Sequence, residues 1–166
     1  MAVTVSCRET SPATGQEVEM QNKKIAEELY KALLGQGEMD EVANLLASDL
    51  EWWFHGPPQC QHMMRKLTGE KAHNNGFKFE PRRITAIGDC VIAEGWEDQA
   101  YWVHVWTMKN GLITTFREYF NTWLVVRYLR PLVWEERQDS STSMTLWESQ
   151  PSDLYRRSLP GLVVAI

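Results

Sequence analysis

The sequence predicts an α+β domain with three N-terminal helices packed on one face of a curved antiparallel sheet. Three observations lead there. Apolar residues recur at spacings of three and four through much of the first half of the chain, which places them on single faces of helices. From Phe77 onward the pattern changes to the alternation of strands, interrupted by Gly88-Asp89 and Asn110-Gly111 turns. The chain of 166 residues, 43% hydrophobic, suits one domain with one substantial core.

Taken in order, residues 1–16 are rich in Ser, Thr, Pro and Gly and read as a disordered lead. Ile25, Ala26, Leu29, Tyr30, Leu33 and Leu34 form one stripe on a helix that runs from Glu17 and stops at Gly35. A second helix spans about Met39 to Leu46, with Asp40 and Glu41 near its positive end. Asp49 to His55 is a strand halted by Gly56-Pro57-Pro58; Leu50, Trp52 and Phe54 share one face, Glu51, Trp53 and His55 the other. Gln59 to Leu67 is a third helix, with Met63, Met64 and Leu67 on its apolar side and Gly69 as its stop. Phe77 to Ile87 and Cys90 to Glu97 form a hairpin. Gln99 to Met108 pairs with a long final strand from Leu112 to Val126. Residues 17–130 thus make the domain, and 131–166 an extension with a charged, Ser/Thr-rich loop and an apolar tail. That tail either packs back on the domain or serves as an added strand for a partner.

Charge and cysteine usage exclude several functions. A net charge of -5 without any Lys/Arg run argues against nucleic-acid binding, since Arg82-Arg83 and Arg156-Arg157 are isolated pairs. Cys7, Cys60 and Cys90 show no zinc-type spacing, and His62 and His73 have no metal-like partners, so neither a metal nor a cofactor is expected. Reduced thiols and the lack of a signal-like N-terminus or a membrane-length apolar run lead to a cytoplasmic protein, small enough to enter the nucleus. Eight tryptophans point to pocket walls, interfaces and a thick core, because indole buries a large area yet needs a partner for its N–H.

The strings LEWWFHGPP and YWVHVWTMKNGLITTFREYFNTW, with the closing SLPGLVVAI, resemble the plant wound-induced protein family, a SnoaL-like branch of the nuclear transport factor 2-like superfamily. The resemblance runs from about Glu17 to Val126 and resumes at the tail. It implies a cone of three helices wrapped by a bent sheet, with a pocket at the wide end and a homodimer formed through the outer sheet face. Superfamily members include isomerases, cyclases, hydrolases and non-catalytic carriers, so the fold does not choose among them. In related cyclases a His and an Asp face the pocket from two late strands; His104 and Glu118 fall on those positions here, with Glu replacing Asp.

Whether those two side chains meet depends on register. Centred on Gly111, the last hairpin sets His104 across from Glu118 on a face shared with Trp102, Trp106, Phe116 and Phe120, and leaves Tyr101, Val103, Val105, Ile113, Thr115 and Tyr119 outside. A two-residue Asn110-Gly111 turn instead sets His104 opposite Arg117 and moves Glu118 to the other face. The family analogy favours the first. Tyr30, Trp53, His55 and Met63 complete the expected ligand-binding set. Two functions remain open: a non-catalytic protein that binds a hydrophobic or aromatic small molecule or docks on a partner enzyme, and an enzyme using Glu118 and His104 as acid and base.

Overall fold

The computed structural model describes residues 3–7, 12–36, 39–68, 77–97, 100–128, 144–149 and 164–165. Helix α1 (Pro12–Lys31) starts earlier than expected, on a proline, whose missing N–H costs nothing in a first helical turn. It runs into a π-turn, Ala32–Gln36, where Gly35 takes φ 83°, as a helix-ending glycine does. Helix α2 (Met39–Leu45) carries Asp40 and Glu41 in its first turn. It leads straight into strand β2 (Leu46–His55). Helix α3 (His62–Leu67) ends at Thr68, whose hydroxyl donates to the Met64 carbonyl at 2.8 Å. The expected stop at Gly69 lies outside the described residues, as does His73.

These helices pack on a six-stranded sheet ordered β3-β4-β5-β6-β2-β9, made of β3 (Arg83–Ile87), β4 (Cys90–Glu97), β5 (Ala100–Lys109), β6 (Leu112–Phe120), β2 and β9 (Val164–Ala165). The α+β class is as expected, but the sheet is mixed, because β2 runs parallel to β6. A parallel pair cannot be closed by a hairpin, and here α3 and three strands intervene between the two. The first hairpin strand is also shorter than Phe77–Ile87. Pro81 has no N–H for a ladder, and the residues before it leave the sheet edge, so that Phe79 enters the core.

A second sheet, ordered β1-β7-β8, was not expected. Its strands are β1 (Val3–Cys7), β7 (Leu124–Tyr128) and β8 (Met144–Glu148). The 1–16 lead is therefore not wholly disordered: Val3–Cys7 pairs with β7 in parallel. The single long strand Leu112–Val126 is two strands in two sheets. Asn121 breaks it at φ 48°, a conformation asparagine tolerates, and is held by exchange with Tyr101: its N–H donates to the Tyr101 carbonyl at 2.7 Å, and its Oδ1 accepts the Tyr101 N–H at 3.0 Å.

The second sheet covers the outer face of the first. Val5, Cys7, Leu124, Val126 and Trp147 pack with Cys90, Ile92, Tyr101, Val103, Val105 and Tyr119 in one apolar cluster. Arg83, paired with Glu94 at 2.9 Å, also lies over the Trp147 ring at 4.9 Å. Tyr101, Val103, Val105 and Tyr119, expected to face a partner copy, are thus buried within the chain itself. The expectation of a free outer face is corrected; a second copy meeting it would have to displace β1, β7 and β8.

The charged loop 131–143, Arg156, Arg157 and most of the C-terminal tail lie outside the described residues. The described part of the tail adds an antiparallel strand to the chain's own sheet, with Ala165 opposite Trp53 and Val164 opposite Phe54. On the opposite side of the sheet, Gly95 permits close packing. A Cβ there would sit 2.5 Å from Trp102 Cζ2 and 2.7 Å from the Glu80 carbonyl oxygen. Gly95→Ala is expected to lower the unfolding free energy by about 1–3 kcal/mol, because both neighbours are fixed. Urea denaturation checks this; an unchanged midpoint would show that Trp102 can move aside.

Candidate functional site

The centre of the domain is built by the last hairpin. Asn110 and Gly111 both take positive φ, 51° and 77°, as a two-residue turn of the mirror-image kind requires. Lys109 pairs with Leu112 and Met108 with Ile113, which is the two-residue-turn register. Beyond them Thr107 pairs with Thr115, so Thr114 is one extra residue in β6. Its hydroxyl donates to the Thr107 carbonyl at 3.2 Å. From that bulge onward His104 lies opposite Glu118, Trp102 opposite Phe120 and Trp106 opposite Phe116. The two alternatives in the sequence are both present, joined by a bulge. One detail changes in consequence: Ile113, expected outside, turns inward to the core formed by the helices and Phe116.

Trp102, His104, Trp106, Phe116, Glu118 and Phe120 share this buried face with Tyr30 from α1 and Met63 from α3. The polar atoms form a chain. Trp106 Nε1 donates to the Tyr30 hydroxyl at 2.9 Å, that hydroxyl lies 2.7 Å from His104 Nδ1, and His104 Nε2 lies 2.7 Å from Glu118 Oε2. Aromatic rings enclose it: Phe79 is 4.9 Å and Phe116 5.0 Å from the imidazole, and Trp106 stacks on Phe116 at 4.0 Å. His104 and Glu118 are both 0% exposed.

Burial decides the protonation. It holds the Glu118 carboxyl well above its ordinary value and His104 well below, since a low-dielectric interior disfavours the charged form of each. Tyr30 is held above its ordinary value, again first by burial. With both groups neutral, one hydrogen bond joins Glu118 to His104 Nε2 and another joins His104 Nδ1 to the Tyr30 hydroxyl. Glu118 Oε1 and Trp102 Nε1 are buried polar atoms that no described residue meets. Trp52 Nε1, from β2, is in the same condition.

Two expected ligand contacts are elsewhere. Trp53 and His55 alternate to the other face of β2 from Trp52 and Phe54. There the Trp53 N–H donates to Glu51 Oε1 at 2.5 Å, Arg117 lies over its ring at 5.9 Å, and His55 packs on Tyr119 at 5.1 Å. Partial burial, then the Arg117 charge, lowers the His55 pKa. Two members of the inner site were missed. Phe79 was assigned to a strand, although Pro81 signalled its end. Cys60, which packs against the core, has its thiol pKa raised first by burial; a lone cysteine after two prolines carried no signal for that.

Tyr30→Phe is expected to cost about 1–3 kcal/mol, because it leaves the Trp106 N–H and a His104 nitrogen buried without their common partner. Thermal or urea unfolding measures it. A neutral result would mean that the hydroxyl does not organise the chain.

The family model for Wound-induced protein WI12 matches residues 64–166. The chain belongs to this wound-induced protein family. The match begins inside α3 and continues through β4, β5 and β6, so it contains His104 and Glu118; Tyr30 and the WWFHGPP string precede it. Among curated proteins, the chain is 39% identical over 110 residues to "Senescence associated gene 20" of Arabidopsis thaliana, covering 62% of this chain and 100% of the relative. It is 38% identical over 111 residues to "Wound-induced protein 1" of Solanum tuberosum, again covering 62% of this chain and 100% of the relative. Among solved structures it is similar to an NTF2-like protein from Burkholderia xenovorans, with TM-score 0.45 and 20% identity over 61% of this chain and 90% of that one. Among the described residues, no helix is long and apolar enough to cross a membrane.

Proposed function

We propose that this member of the wound-induced family is a non-catalytic binding protein of plant wounding and senescence, taking a small aromatic or apolar molecule that carries polar groups able to hydrogen-bond. The observation that carries the reading is the pair of buried, unpartnered atoms on the aromatic face, Glu118 Oε1 and Trp102 Nε1. Unpaired polar atoms cost free energy in an apolar interior, and a ligand that meets them recovers it. The aromatic side chains supply the apolar body of such a site.

One observation favours a second reading, acid–base catalysis. His104 and Glu118 are in direct contact, and burial keeps both neutral, so one can accept a proton while the other supplies one. Fractionated plant metabolite extracts, screened for thermal stabilisation and then for turnover, separate the two. A fraction that stabilises the chain and is recovered unaltered supports the binding reading. Turnover lost in Glu118→Gln or His104→Ala establishes the enzyme instead. If no fraction stabilises the chain, the ligand reading is wrong.

A further inference from the structure

Between the two sheets, away from the His104–Glu118 centre, Cys7 at the end of β1 meets Cys90 at the start of β4. The two sulfurs and a carboxylate oxygen of Asp89 all lie within 4.8 Å of one another. Both cysteines are buried and belong to the apolar cluster that joins the sheets. They are far apart in sequence and come from different layers, so only the docking of β1 onto the main sheet brings them together. Asp89 Oδ1 accepts from the Cys90 thiol at 3.5 Å, and Thr107 Oγ1 lies 3.9 Å from the same sulfur.

We propose that Cys7 and Cys90 are a redox pair, and that their oxidation to a disulfide staples the β1-β7-β8 layer onto the main sheet. The two sulfurs, within 4.8 Å of each other, are close to the reach of a disulfide. Metal binding is the less favourable use of the cluster. It requires the Cys90 thiol to stay ionised in a place where the Cys7 thiol, burial and the neighbouring Asp89 all push its pKa up. A disulfide is neutral, and an apolar cluster holds it without that penalty.

The oxidant is a small-molecule disulfide. The Cys7 sulfur, as thiolate, attacks one sulfur of that disulfide, forms a mixed disulfide and expels the other half as a thiolate. The Cys90 sulfur then attacks Cys7, passing its proton to the departing half, so that the Cys7–Cys90 bond forms and the second half leaves as a thiol. Two protein thiols are oxidised, one disulfide is reduced to two thiols, and the two protons pass to the leaving groups. Cys7 reacts first because β1 is an edge strand of five residues held by β7 alone, whereas Cys90 sits in a strand flanked by β3 and β5.

The test treats the folded Cys60→Ser chain with glutathione disulfide, followed by intact mass, peptide mapping and thermal unfolding. The expected product has lost two hydrogens, yields a Cys7–Cys90 cross-linked peptide, and melts roughly 5–10 °C higher, a shift that dithiothreitol reverses. The wild-type chain should give the same cross-link, and Cys7→Ser/Cys60→Ser should give neither the cross-link nor the shift. Unchanged thiols, a glutathione adduct that never resolves, an intermolecular disulfide, or a chain that retains zinc through Cys7 and Cys90 and resists oxidation would each overturn the pairing.

Discussion

The His104–Glu118 pair is expected to leave stability flat between about pH 4.5 and pH 6.5 and to reduce it above pH 6.5 by up to about 1.4 kcal/mol per pH unit. The signs follow from the two directions of shift. Glu118 is raised from its ordinary 4.5, so above that pH the unfolded chain loses a proton that the folded chain keeps, and stability falls as pH rises. His104 is lowered from its ordinary 6.5, so below that pH the unfolded chain gains a proton that the folded chain refuses, and stability falls as pH drops. Between the two values each state holds one proton on the pair, and the slopes cancel. Above 6.5 only the Glu118 slope remains, until its folded pKa is passed; below 4.5 only that of His104. Glu118→Gln removes the first slope, so its stability relative to the wild-type chain should climb as pH rises above 4.5, and on its own it should lose stability steadily below pH 6.5. Urea unfolding of both chains from pH 4 to 9 measures this. Parallel curves above pH 6.5 would mean that Glu118 ionises alike in both states, and the neutral pair would be wrong.

Trp106→Ala is expected to cost about 3–5 kcal/mol, a large share of the stability of a domain this size. The indole is 0% exposed, stacks on Phe116 at 4.0 Å, and donates to Tyr30 at 2.9 Å. Its removal leaves a cavity between β5 and α1 and takes the Trp106 N–H from the Tyr30 oxygen. Trp106→Phe separates these effects, since it keeps most of the ring volume and loses only the N–H. A cost below about 1 kcal/mol for the alanine variant would show that neighbouring rings collapse into the space. Denaturant midpoints, read with the slope held constant, report both variants.

The helix stripe on α1, the helix-ending Gly35, the alternation of β4 and β5 and the Asn110-Gly111 turn were legible because each rests on residues close in sequence. So was the shared face of Trp102, His104 and Trp106, which period-two alternation assigns without reference to any other strand. Val3–Cys7 and Met144–Glu148 escaped for a different reason. Val3–Cys7 alternates, but each segment is only five residues long, and a strand that short is stabilised by the sheet it joins, not by its own sequence. Trp53 and His55 were placed correctly on one face of β2. Which face meets the interior was a question of packing.

By itself, the sequence determined the helices, the main strands, the family and the residues of the aromatic face, because helical and strand periodicities and turn conformations are local properties of the chain. Only the tertiary structure decided that Thr114 bulges and so brings Glu118 onto His104, that β2 enters parallel to β6, and that β1, β7 and β8 cover the outer face. Those outcomes depend on contacts between distant segments. A bulge is chosen by which side chains must be buried together, and a cover strand by the apolar surface it finds.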